Sequence, residues 1–152
     1  MTILSLQNVS KSFGSLKVTD DVTFEVPEGQ ALGIIGPNGA GKSTLFNLIT
    51  GNLMSDAGTI RFQGRDVTRT PAMQRCLSGV GRSFQIPQPF EKLTVFENLV
   101  VAGAFGRDTS EREVTAICAD VLERTGMIRR ANTPAGQLSL LERKRLELAR
   151  AM

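Results

Sequence analysis

The 152 residues predict an α/β fold. Three observations carry that expectation. Short alternating apolar runs occupy the first third of the chain, one non-alternating apolar run leads through a glycine-rich loop into a helix, and beyond Phe84 the apolar spacing becomes helical. Hydrophobic residues make up 41% and charged residues 22%, which is enough apolar material to build a core without disulfide staples.

In order, Leu4 and Leu6 alternate with Ser5 and Gln7, and Val22, Phe24 and Val26 with Thr23 and Glu25, giving two half-buried strands, the second ended by Pro27-Glu28-Gly29. Ala31-Leu32-Gly33-Ile34-Ile35 lacks alternation, as expected of a central parallel strand covered on both faces. Thr44 to Ile49 then reads as an apolar helix. Ile60 and Phe62 mark a strand between Gly58 and Gly64, Pro71 to Leu77 a short helix, and Val80 to Phe84 a further strand. Ser110 and Glu113 form a capping box for a helix whose apolar positions are Val114, Ile117, Cys118, Val121 and Leu122, with Gly126 placed as a left-handed C-terminal cap. A second box, Ser139 with Glu142, starts a helix running through Leu141, Leu148 and Met152.

Composition narrows the chemistry. With no histidine, Ser-His-Asp and Cys-His nucleophile pairs, His-ligated zinc and imidazole bases are excluded. Cys76 and Cys118 are too far apart for a zinc or redox pair and read as buried structural thiols. No apolar run reaches the roughly 18 residues of a membrane span. The net charge is +3, and its positive excess resides in residues 129 to 152, where six Arg and Lys stand against Glu142 and Glu147 while the rest of the chain sums to −1; this segment reads as a solvated helix face.

Gly36-Pro37-Asn38-Gly39-Ala40-Gly41-Lys42-Ser43, followed by Thr44, satisfies G-x-x-x-x-G-K-[ST] between a strand and a helix. Glycines let successive N–H groups face one concavity, the helix N-terminus adds partial positive charge, Lys42 reaches the β and γ phosphates, and Ser43 offers a hydroxyl to Mg²⁺. The guanine-reading tetrad Asn-Lys-x-Asp of GTPases is absent.

Further separated motifs occur in order: Lys11-Ser12-Phe13-Gly14 with Val18 beyond it, Ser83-Phe84-Gln85 before two prolines, and Leu138-Ser139-Leu140-Leu141-Glu142 ahead of Arg143 to Met152. With the phosphate loop, they make the chain resemble the ATP-binding subunit of an ABC transporter. The resemblance implies a P-loop NTPase fold of the ABC ATPase type, with an N-terminal β-subdomain, a partial RecA-like core and a helical subdomain, incomplete at the C-terminus. The β-subdomain and phosphate-loop core would span about 1–86 and the helical subdomain with its signature helix about 87–152.

The implied roles follow from the same resemblance. Residues 36–44 would bind the nucleotide phosphates, Phe13 would stack on adenine and Val18 would pack beside the nucleotide. Ser43 and Gln85 would serve the Mg²⁺ of bound ATP, and Ser139 would stand at the signature motif. That motif departs from Leu-Ser-Gly-Gly-Gln: both glycines are Leu and the Gln is Glu142, so bulk and negative charge hinder approach to a phosphate.

Gly81 to Gln85, Phe90 to Leu99 and the closing Arg-Lys-Arg-Leu-Glu-Leu-Ala-Arg-Ala are most similar to branched-chain amino-acid uptake subunits. Implied partners are a second ATP-binding subunit, identical or not, and integral-membrane permease subunits, at the cytoplasmic face of the membrane and without nucleic acid. The family's Walker B strand, D-loop and His switch find no counterpart, so the chain is expected to be an N-terminal fragment without catalytic residues of its own. That implies an exposed edge beside residues 31–35 and an exposed apolar face on the last helix. The competing readings are a non-hydrolysing nucleotide-binding module and a soluble ABC ATPase acting on nucleic acid or ribosomes.

Overall fold

The computed structural model describes residues 1–106 and 111–152, with the side chain of Glu111 left out. The chain divides into two compact units, Met1–Val80 and Gly81–Met152.

In the first unit, β1 (Thr2–Phe13) and β2 (Leu16–Pro27) form an antiparallel hairpin, and β3 (Ala57–Phe62) pairs with the other side of β1. The two-residue strand β4 (Arg65–Asp66) completes a sheet of order β2-β1-β3-β4, antiparallel at every pairing. Leu6 lies opposite both Phe24 and Ile60, and Val9 opposite Val22; three positions apart, the two reach one face because a register irregularity between them, with Asn8 left-handed at φ 53°, resets the alternation of β1. There Leu6, Val9, Ile60 and Val67 meet Leu45 and Leu48 of helix α1 (Lys42–Thr50). Helix α2 (Ala72–Leu77) begins after Pro71, whose fixed φ suits a helix start.

Two expected strands are not formed. Residues 31–35 pair with no strand among the described residues, and Ile35 is 95% exposed while Ile34 touches the core. A strand exists through its neighbours' hydrogen bonds, and β1 to β4 pair with one another without taking 31–35 as a neighbour. Residues 80–84 also join no sheet; Phe84 uses side chains of the last helix instead.

The second unit is helical. Helices α3 (Val95–Gly106), α4 (Glu111–Arg124) and α5 (Leu140–Ala151), with two short 3₁₀ turns between α4 and α5, bury Val95, Leu99, Val114, Cys118, Val121, Leu122, Leu138, Leu146 and Ala149 together. The expected stripe of α4 is thus its buried face, with Ile117 half-buried and Gly126 left-handed at φ 67°. Ser110, the first member of its expected capping box, lies outside the described residues. On α5 the buried positions are Leu146, Glu147 and Ala149, whereas Leu141, Leu148 and Met152 are exposed.

Cys118 is buried, which raises its thiol pKa, but Cys76 is exposed. The expectation of two buried thiols fails at Cys76 because α2 turns Arg75 inward instead. No helix of the described residues is long and apolar enough to cross a membrane.

Candidate functional site

The glycine-rich loop runs directly into α1. Gly41 occupies the N-cap in the left-handed region (φ 80°, ψ 3°), and no side chain caps the helix. The first intrahelical bond is Leu45 N–H to Gly41 O at 2.9 Å, so the preceding first-turn N–H groups have no acceptor inside the helix. That end can receive an anion. Lys42 lies in the same turn, its Nζ donating to the carbonyl oxygens of Gly36 and Pro37 at 2.6 Å each, which folds the loop around the ammonium. Ser43 is exposed beside it.

Val18 seats the loop from β2. A Cβ at Gly41 would come within 2.7 Å of Val18 O and 3.2 Å of its Cγ1, so both conformation and closeness demand glycine. The structure therefore brings Val18 against residues 36–44. Phe13 ends β1 on the same hairpin, with an exposed ring 5.7 Å from Lys11 Nζ.

A residue that sequence reasoning missed holds this end of β1. Asp56 accepts from Lys11 Nζ at 2.6 Å and from Ser12 N at 2.8 Å, while its own N–H donates to Ser10 O. The Lys11 bond first, and the Ser12 amide next, hold its carboxyl below the usual range. Nothing local marks Asp56, because its partners are more than forty residues away.

The far end of α1 carries a second missed residue. Arg75 is 0% exposed and, among the described residues, faces no carboxylate at hydrogen-bond distance; its guanidinium donates to Leu48 O (2.7 Å), Ile49 O (2.8 Å), Thr70 O (2.8 Å) and Thr68 O (3.1 Å). It closes the last carbonyls of α1, where a cation suits the helix dipole, and ties them to the loop after β4. Burial pushes its pKa down, opposed by Asp66. Gly51, the left-handed C-cap of α1, leaves room for it: a Cβ there would lie 2.8 Å from Arg75 Nε.

In the second unit Gln85 is exposed in a loop whose backbone is held by α5. Phe84 N–H donates to Glu147 Oε1, and Lys144 Nζ donates to Phe84 O at 3.1 Å and to Gln85 O. Further on, Arg150 donates to Gln88 O at 3.0 Å and lies 5.0 Å from the Phe90 ring. Buried Asn98 then fixes the 90–94 turn, accepting from Phe90 N and donating to Phe90 O and Thr94 O.

The expectation of a solvated basic segment is thereby corrected: Lys144 and Arg150 reach loop carbonyls, Arg143 pairs with Glu91 and donates to Gly136 O, and Arg130 pairs with Glu142. Loop carbonyls without a sheet ladder need donors, and long cationic side chains supply them.

Ser139 caps α5. Its hydroxyl donates to Glu142 Oε2 at 2.8 Å, and Glu142 Oε2 also accepts from Ser139 N at 2.9 Å. These bonds, ahead of the Arg130 charge, depress the Glu142 pKa. Leu140 and Leu141 stand exposed beside the cap.

A nucleoside triphosphate fits the first unit on three counts: the uncapped helix end, the Lys42 ammonium and the tight Gly41 turn. The donor set also suits Mg²⁺. The Ser43 hydroxyl at the start of α1 is a hard oxygen donor of the kind that Mg²⁺ takes beside phosphate oxygens.

The ABC transporter family model matches residues 19–152. A probable branched-chain amino acid transport ATP-binding protein, LivG, from Archaeoglobus fulgidus is 37% identical, aligned over 100% of this chain and 63% of its own length. The lipopolysaccharide export system ATP-binding protein LptB of Haemophilus influenzae is 34% identical over 100% of this chain and 63% of its own. Among solved structures, the ADP conformation of an ATP-binding cassette of an ABC transporter superposes with a TM-score of 0.85 at 35% identity, covering 99% of this chain and 64% of that one. The chain thus spans a little under two thirds of the length of these relatives.

Proposed function

The chain belongs to the ABC transporter family, and on that premise we propose that it is the nucleotide-binding part of an ATP-binding subunit that couples ATP to solute import. The observation that carries the proposal is the Lys42 ammonium, held by Gly36 and Pro37 carbonyls at the uncapped N-terminus of α1. Backbone N–H groups of residues 39–44 bind the α and β phosphates, and Lys42 turns from its own loop to the β and γ oxygens. Phe13 offers an exposed face to adenine, Val18 supports the loop beneath it, and Ser43 gives its hydroxyl to Mg²⁺. When bound, Mg²⁺ neutralises charge on the β and γ phosphates. Gln85, through its amide, serves the metal and the attacking water. The partners are a second ATP-binding subunit and membrane permease subunits, at the cytoplasmic face of the membrane.

The solute we infer is a branched-chain amino acid. This rests on likeness to LivG, and the export protein LptB at 34% identity is the competing direction of transport.

Titration of the full protein with Mg-ATP by calorimetry tests the reading. Lys42→Ala should abolish binding, and Phe13→Ala should weaken it about 5- to 150-fold, the range of one aromatic–base stack. Unchanged affinity in Lys42→Ala overturns it. A second reading, a module that binds nucleotide without turnover, is favoured by Ser139, whose hydroxyl is engaged by Glu142. Phosphate release that disappears with Lys42→Ala would exclude that reading.

A further inference from the structure

Helix α5 presents Lys144, Glu147 and Arg150 at intervals of three, on one face, and all three act on the backbone of the segment that carries Gln85. We propose that Lys144 and Glu147 are positioning residues for Gln85: together they clamp the peptide groups on either side of it and leave its amide side chain to move. This rests on the reading of Gln85 as a group that serves the nucleotide reaction.

The clamp grips both polarities of the loop. Glu147 Oε1 takes the N–H of Phe84, and Lys144 Nζ takes the carbonyls of Phe84 and Gln85. Bonds with one ionised partner are shorter and about twice as strong as neutral ones, which suits a segment that no sheet ladder holds.

Glu147 is only 8% exposed, and its Oε2 has no hydrogen-bond partner among the described residues. A half-satisfied buried carboxylate is costly to keep, and a solvated helix face would not need one. Its retained contact is the loop amide. The support is rigid: Leu146 and Ala149 are buried in the helical core on either side of Glu147, and the Ser139–Glu142 box closes the helix start. Because the hold is on backbone atoms and the Gln85 side chain is exposed, the clamp sets where the amide starts without fixing where it points.

Hydrogen exchange on the full protein, read at a peptide spanning 81–90, measures the clamp independently of what Gln85 does. Lys144→Met and Glu147→Leu should each speed exchange there about tenfold or more, the effect of losing one hydrogen bond to a charged group. Peptides from α4 should keep their protection, which shows that the fold survives; Lys144 is exposed, so Lys144→Met reports even if Glu147→Leu does not fold.

In ATP turnover the same variants should lower kcat about tenfold with KM within twofold, Lys144→Arg should restore kcat, and adding Gln85→Ala to Lys144→Met should cost less than Gln85→Ala alone. Unchanged exchange over 81–90 in Lys144→Met overturns the clamp. So does faster exchange with unchanged kcat when Gln85→Ala does lower kcat. If Gln85→Ala alone leaves kcat intact, the role given to Gln85 falls, and the exchange result still decides whether Lys144 and Glu147 hold the loop.

Discussion

Replacing Arg75 by Met keeps an apolar stem of similar length in its buried site and removes the donors that hold four carbonyl oxygens at 2.7 to 3.1 Å. Leaving each acceptor short of a donor costs about 1 kcal/mol, roughly 4 kcal/mol in all. Removing a guanidinium whose desolvation opposed folding returns about 1 kcal/mol of that, because the bonds to it had already offset most of the penalty. The net expectation is a loss of about 3 kcal/mol. With a urea slope near 2 kcal/mol per molar for a chain of this size, the unfolding midpoint should fall by about 1.5 M. The chain has no Trp or Tyr, so far-UV circular dichroism rather than fluorescence is the probe. Arg75→Lys should fall between the two, since a single ammonium cannot span acceptors that belong to both α1 and the 68–70 loop. A midpoint shift below about 0.5 M for Arg75→Met would refute the claim that this cation ties α1 to its surroundings.

One thiol, Cys76, should react quickly with a thiol-specific reagent in the native protein and Cys118 only after unfolding, because Cys118 is buried and its pKa raised by that burial; two fast thiols would contradict the helical core. Glu97 and Glu142 both accept from a capping residue three positions earlier, Thr94 and Ser139, and these bonds depress their pKa values. A depressed carboxyl contributes stability that is present above its unfolded pKa of about 4.3 and is lost as pH falls through the lower folded value. The urea midpoint should therefore drop as pH is lowered from about 5 to 3, and the double substitution of Glu97→Gln and Glu142→Gln should flatten that drop. Parallel pH profiles would mean that the boxes contribute nothing.

What the sequence made legible was local. The Ser139–Glu142 box needs only two residues three apart, and it is present with both of its bonds. The stripe from Val114 to Leu122 needs only a helical period, and its members line the core of the second unit. Helix α3 follows the same rule, since Thr94 and Glu97 form a reciprocal box ahead of an apolar run.

The misses are long-range. Residues 31–35 have the composition of a covered strand, but strand formation depends on neighbours that composition does not name. Residues 80–84 look like a strand until the side chains of α5, some sixty positions on, take their hydrogen bonds. Arg75 could not be read at all, because its partners are carbonyls and carry no side-chain signature. The choice of Arg75 as the inward residue of α2 left Cys76, one position along, in solvent.

The unpaired stretch 31–35 is the only covalent lead into the phosphate loop from its N-terminal side, and Ile35 immediately precedes Gly36. Any strand that came to lie along 31–35 would narrow the range of positions open to Gly36 and Pro37, the carbonyls that hold Lys42. Ordering and ligation would then share one free-energy balance. A nucleotide that fixes the loop favours pairing of the stretch by the same factor by which pairing favours the nucleotide, so anion affinity would report on events at a sheet edge that the anion never touches.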